Sequence, residues 1–218
     1  MYYIFGDIHA CLNKLVALYD QVNKLISDDD TLIFLGDYID RGKYSCEVIE
    51  YLLRIREKRS GSVFIMGNHE RMLFDYLDGK DPGGNYLYNG GTATRQSYVD
   101  RFGSFHIPER HREFFNSLVM YYEGDDFIAV HAGLDPRVGS LAVQSAEDLV
   151  WIREKFYRSN SRFPKTVIFG HTPTYHLHGR WGVPYIDEQR NIIGIDTGAV
   201  YGAKLTCLVW PQKNFIQA

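Results

Sequence analysis

Each of the first three short apolar runs in this chain ends in a glycine-led polar cluster, and helical periodicity fills the gaps between them. Tyr2–Phe5 runs into Gly6-Asp7-Ile8-His9, and residues 31–35 run into Gly36-Asp37-Tyr38-Ile39-Asp40-Arg41-Gly42. Residues 63–66 run into Gly67-Asn68-His69-Glu70. Between the runs, Leu12, Leu15, Val16, Leu18, Tyr19, Val22, Leu25 and Ile26, and then Val48, Ile49, Leu52, Leu53 and Ile55, recur at helical spacing. Alternation of this kind closes as a largely parallel sheet covered by helices, an α/β architecture. The polar clusters then fall at the carboxyl ends of strands, where an open sheet forms its ligand crevice.

Three further clusters follow: His131-Ala132-Gly133, Trp151-Ile152-Arg153 and Gly170-His171-Thr172-Pro173. Strands are expected at Phe127–Val130, Thr166–Phe169, 185–186, 192–195 and 205–210, with one helix over 146–157. The later strands are close enough in sequence to pair as hairpins, which predicts a second sheet packed on the first. Residues 78–125 differ. They open with Asp81-Pro82-Gly83-Gly84, are rich in Gly, Asn, Tyr and Arg, and hold helical patterns at 92–100 and 108–120. They read as a cap beside the crevice within one domain spanning 1–218, with Tyr86, Tyr88, Tyr98 and Arg95 the expected determinants of substrate choice.

Composition excludes several partners. A formal net charge of -3 over 218 residues gives no electrostatic footprint for nucleic acid or an anionic membrane. No stretch approaches the ~20 apolar residues that span a bilayer. Cys11, Cys46 and Cys207 are odd in number and widely spaced, which suggests neither disulfides nor a cysteine zinc site. The N-terminus enters a strand directly, with no basic and apolar leader. A cytoplasmic monomer is expected.

The clusters carry the donors that a pair of divalent cations needs. Asp7 and His9 sit two apart just past a strand, so in extended backbone both reach one ion. Asp37 can bridge two ions through its two oxygens, Asn68 offers a neutral carbonyl, and His131 and His171 offer imidazoles. Two aspartates against two divalent ions leave a net positive centre, which attracts phosphate and lowers the pKa of bound water towards ~7. Nitrogen and oxygen donors without thiolate suit Mn2+, Fe or Zn2+, with Mn2+ taken first. His69 next to Asn68, with Asp40 as carboxylate partner, suits a general acid. Arg41 and Arg153 suit a phosphate dianion.

In this order the clusters, with Asn89-Gly90-Gly91 and residues 195–200 (Ile-Asp-Thr-Gly-Ala-Val), resemble those of the phosphoprotein phosphatases. These are the serine/threonine branch of the calcineurin-like metallophosphoesterases, and the compact bacterial and phage enzymes are the nearest in pattern. The resemblance runs from Tyr3 to about Trp210. It implies two mixed sheets packed as a sandwich and flanked by helices. It implies one metal held by Asp7, His9 and Asp37 and a second by Asp37, Asn68, His131 and His171, with a bridging hydroxide attacking phosphorus in line. His69, supported by Asp40, would protonate the leaving serine or threonine oxygen of a phosphorylated protein, while Arg41 and Arg153 hold the phosphoryl group; enzymes of this group often act on phosphotyrosine as well. Asp40 and Glu70 are read as favouring this branch over symmetrical diadenosine tetraphosphate hydrolase. A catalytically dead phosphoprotein-binding scaffold is the alternative from another class, and the full donor set argues against it. One departure stands out: Ala10 follows His9 where the family has glycine, so a left-handed backbone there would cost on the order of 1 kcal/mol.

Overall fold

The computed structural model describes residues 1–218. In chain order it forms β1 (Tyr2–Phe5), α1 (Leu12–Val22), β2 (Thr31–Phe34), α2 (Ser45–Lys58), β3 (Val63–Phe64) and α3 (Asn68–Leu77). The middle of the chain holds α4 (Thr92–Phe102) and α5 (Glu109–Asn116). Then come β4 (Tyr121–Glu123), β5 (Phe127–Val130), α6 (Ala146–Trp151), α7 (Glu154–Tyr157) and β6 (Thr166–Phe169). The chain closes with α8 (Tyr175–His178), β7 (Tyr185–Asp187), β8 (Ile192–Gly194), β9 (Thr206–Trp210) and β10 (Asn214–Gln217).

Two five-stranded sheets result, in the orders β10-β9-β1-β2-β3 and β4-β5-β6-β8-β7. Strands β1, β2 and β3 are parallel, as are β5, β6 and β8, while β9, β10, β4 and β7 add antiparallel edges. The expected α/β sandwich of two mixed sheets is therefore present. Side-chain alternation divides its core. Ile4, Ile33, Ala129, Phe127, Ile168 and Leu208 fill the space between the sheets. Tyr3, Phe5, Leu32 and Phe34 face the other way, into α1, α2 and the middle segment. Ile128, Val130, Val167 and Phe169 meet α6 and α7 on the far side.

Three expected helices end differently. The first stops at Val22 rather than Ile26, leaving Leu25 exposed. The one expected to reach residue 120 stops at Asn116, where the Ser117 hydroxyl donates to Phe114 O at 2.6 Å. The chain there leaves the helix to pair with the end of β3, as Val119 N donates to Phe64 O and Met66 N to Val119 O. The helix expected over 146–157 is broken at Ile152-Arg153, and Arg153 has φ -131 and ψ -108. Strands β4 and β10 were not expected; each is short and only partly buried.

The cap reading needs correction. Tyr86, Tyr98, Phe114 and Phe115 belong to the same core as β1 and β2, and Tyr86 and Tyr98 are fully buried. They cannot touch a substrate. Tyr88 and Arg95 are exposed. No helix is long and apolar enough to cross a membrane.

Candidate metal centre

The crevice opens at the carboxyl ends of β1, β2, β3, β5 and β6, and the loops there bring the sequence clusters together. Asp37 stands between two groups of donors. Its Oδ2 lies 3.4 Å from His9 Nε2 and 3.9 Å from His69 Nε2, and its Oδ1 lies 3.4 Å from His131 Nε2. One potential ligand group is His9, Asp37 and His69; the other is Asp37, His131 and His171. Asn68 Oδ1 joins the second, 2.9 Å from His131 Nε2 and 2.8 Å from His171 Nδ1. All of these residues are buried.

Asp7 belongs to neither group. Its Oδ2 accepts from His171 N at 2.9 Å, while Oδ1 is buried with no hydrogen-bond partner. The expectation that Asp7 and His9 share a direction assumed extended backbone. His9 has φ 45, in the left-handed region, so its ring turns towards Asp37 instead.

Asp40 and His69 form a close pair, with His69 Nδ1 2.7 Å from Asp40 Oδ2. Asp40 is fixed in turn. Its N–H donates to Thr94 Oγ1 at 2.9 Å and Ser45 Oγ at 3.2 Å, and the Thr94 hydroxyl donates to Asp40 Oδ1 at 2.6 Å. Glu70 braces the neighbouring turn, accepting from the N–H of Asp37, Tyr38 and Gly67 at 2.9, 2.8 and 3.1 Å. Gly67 allows that approach, because a Cβ there would collide with Asp37.

Tautomers test whether the donors fit a cation. Burial lowers His9 and His171 well below 6.5, and lowers His131 too, so each ring is neutral and carries one N–H. His9 Nδ1–H is used by Ile39 O at 3.0 Å and His131 Nδ1–H by Leu35 O at 2.8 Å. Both Nε2 atoms therefore carry lone pairs: that of His9 accepts from Arg41 Nη1, while that of His131 faces the Asp37 carboxylate and Asn68 Oδ1. Acceptors facing acceptors at these distances repel unless a cation sits among them. His171 Nε2 is also buried and unpartnered. The residues fit divalent metal.

The carboxylates divide. Burial acts to raise Asp37, but its electrostatic interactions with the surrounding imidazoles outweigh it and hold the group below the usual range. Asp7 is pushed well above its ordinary value by burial, Asp196 and Asp37. Burial and Asp37 push Glu70 up to about 8, with the N–H of Tyr38 pulling the other way, and burial takes Asp196 up to about 6. Divalent charge in the crevice favours ionisation of all of them.

Arg41 and Arg153 are exposed at the mouth. Arg41 Nη1 lies 2.5 Å from His9 Nε2, and its N–H donates to Gly90 O at 3.2 Å. Gly90 has φ 108 and packs where a Cβ would press on Arg41. Arg153 Nη1 donates to Thr172 Oγ1 at 3.2 Å. Sequence reasoning missed Thr94 and Ser45, which hold Asp40, and the bracing role of Glu70. The only signal for Glu70 was its place three residues into a helix after a glycine; nothing in the sequence marked Thr94.

A family model for calcineurin-like phosphoesterases matches residues 2–199, so the chain belongs to that family of hydrolases, whose members use a binuclear divalent metal centre. Among similar proteins is an asymmetrical bis(5'-nucleosyl)-tetraphosphatase, PrpE, of Anoxybacillus flavithermus. It is 24% identical over 99% of this chain and 93% of its own length. Among solved structures, a presumptive diadenosine tetraphosphatase has a TM-score of 0.75 and 22% identity, covering 100% of this chain and 92% of that one. A serine/threonine phosphatase of Saccharomyces cerevisiae has a TM-score of 0.61 and 16% identity, covering 100% and 78%. The two structures share the fold.

Proposed function

We propose that this chain is a metal-dependent phosphomonoesterase that removes phosphate from serine and threonine side chains of phosphorylated proteins, and from phosphotyrosine. The buried His69–Asp40 pair carries the reading. With Nδ1–H given to Asp40, His69 Nε2 is left on the Asp37 side, 3.9 Å from Asp37 Oδ2, free to deliver a proton there. The alkoxide leaving from a serine or threonine ester is strongly basic and needs that proton. In this reading Asp7, through its buried and unpartnered Oδ1, would join His9 and Asp37 in holding one cation, and Asp37, Asn68, His131 and His171 would hold the other, with Mn2+ preferred to Fe or Zn2+. When bound, such ions supply an activated water and neutralise phosphate charge. Asp40 orients the His69 ring through Nδ1. Arg41 and Arg153 orient the non-bridging oxygens at the mouth.

The similarity to asymmetrical tetraphosphatases over almost the whole chain favours a second reading, hydrolysis of a dinucleoside tetraphosphate. The nucleotide alternative from sequence is the symmetrical kind, and Asp40 and Glu70 weigh against that kind alone. Rates on phosphoserine peptide, phosphotyrosine peptide and diadenosine tetraphosphate, each with Mn2+, Zn2+ and Mg2+, decide between the two. Phosphoserine turnover highest with Mn2+ supports the first reading. A preference of about tenfold or more in kcat/KM for the tetraphosphate replaces it with the second.

A further inference from the structure

Three large rings stand half in solvent beside the metal centre. Tyr175 at the start of α8, Trp181 in the turn after it and Tyr201 in the turn between β8 and β9 are 39%, 46% and 52% exposed. They touch in series. Tyr175 and Trp181 stack with centroids 4.6 Å apart and planes 9° from parallel, and Trp181 meets Tyr201 at 5.6 Å. The series ends at the crevice, where the Arg41 guanidinium lies 6.0 Å from the centre of the Tyr201 ring.

The row is held in place from below. The Trp181 indole rests on Gly198, where a Cβ would come within 2.5 Å of Cζ3. The Trp181 turn is tied down on both sides, as Gly182 N donates to Thr197 O at 3.2 Å and the Gln217 amide donates to Gly182 O at 2.8 Å. The Tyr201 turn is pinned by Lys14 Nζ, which donates to Ala199 O at 2.7 Å. Contiguous exposed rings on a soluble domain mark a binding surface, and rings next to a guanidinium suit a ligand that joins an aromatic plane to an anion.

We propose that Tyr201 and Trp181 form a subsite for a planar aromatic ring covalently attached to the phosphate being hydrolysed. The inference rests on the phosphate-binding role given to Arg41 above. A phosphate oxygen on that guanidinium lies ~2.8 Å from its nitrogen, beside the Tyr201 ring. Two ligands share this chemistry. A tyrosyl ring, one ester oxygen from phosphorus, reaches Tyr201; a nucleobase, separated by ribose and further phosphates, reaches Trp181. A phosphoserine side chain brings no ring.

The test compares wild type, Trp181→Ala, Tyr201→Leu and Tyr201→Phe by the ratio of kcat/KM on phosphotyrosine over phosphoserine peptide, and of diadenosine tetraphosphate over phosphoserine peptide. Removing a ring should lower at least one ratio about tenfold, the size of one stacking contact, and Tyr201→Phe should restore it. A fall in the first ratio assigns the subsite to a tyrosyl ring, and a fall in the second to a base. Ratios unchanged in both ring-less variants overturn the subsite and leave the phosphatase reading intact. Binding needs no turnover and judges the subsite separately: phenyl phosphate or AMP should quench tryptophan fluorescence in wild type but not in Trp181→Ala, whereas inorganic phosphate should quench neither. Equal quenching in the two proteins overturns the subsite whatever the peptide rates show.

Discussion

The two walls of the crevice are built by different means. The wall from the first sheet carries the carboxylates Asp7, Asp37 and Asp40, and its backbone enters the left-handed region at His9, Ala10, Asp37, Asp40 and Arg41. Such conformations cost ~1 kcal/mol or more each outside glycine, and persist only where surrounding contacts over-determine them. The braces are Glu70 on the Asp37 turn and Thr94 and Ser45 on Asp40. The wall from the second sheet presents His131, Arg153 and His171, of which only His171 has positive φ. Two of these are positioned by the first wall: His131 donates to Leu35 O, and His171 N donates to Asp7. One wall is a template and the other docks on it, so damage to the first should spread further.

Asp37→Asn is the strongest way to break that comparison. It should lower turnover by ~10³-fold and deplete both ions, because the shared carboxylate serves both groups; His171→Asn should deplete one. Metal content by elemental analysis checks this, and loss of both ions from His171→Asn would make the walls equivalent. Next comes His69→Asn, with an expected ~10²-fold loss on phosphoserine peptide and a smaller loss on an aryl phosphate, whose leaving group is less basic. Equal losses on the two substrates would remove His69 from the acid role.

A subtler test is metal affinity at pH 6.0 against pH 7.5. At the site of His131 and His171, two ordinary imidazoles would lose on the order of 14-fold to proton competition over that interval. Burial lowers both instead, so competing protons bind there only at lower pH, and affinity at that site should fall by clearly less. Calorimetric titration reads the difference. The smallest effect belongs to Ala10→Gly. With φ 58, Ala10 adopts the conformation its neighbours impose, and glycine there should raise stability by up to ~1 kcal/mol. Denaturant unfolding measures it, and an unchanged midpoint would mean that glycine's extra unfolded-state freedom cancels the relief.

The sandwich and the order of its parallel strands were legible because apolar runs and helical periods are local signals. Strands β1, β5 and β6 fall where the sequence puts them to the residue. Asp37, Asn68, His131, His171 and the His69–Asp40 pair also come together, since each follows the carboxyl end of a parallel strand that opens into the one crevice between the sheets. What was not legible depends on distant partners. The helix break that aims Arg153 at Thr172 lies inside a good helical pattern, and the left-handed backbone at His9 is held by Asp37 O, which accepts from its N–H at 2.8 Å. Tyr86 and Tyr98 looked like surface residues of a polar segment because their burial comes from packing against distant elements.

The middle segment therefore has a consequence for the life of the polypeptide. Thr94 lies 54 residues beyond Asp40, and the same segment delivers Phe114 and Phe115 to the core that covers β1 and β2. A nascent chain still missing those residues holds Asp37, His9 and His69 but neither the completed core nor the hydroxyl that steadies Asp40. The brace on Asp40 and the core over β1 and β2 are completed by the same stretch of chain, so no partly made polypeptide holds Asp40 as the finished protein does.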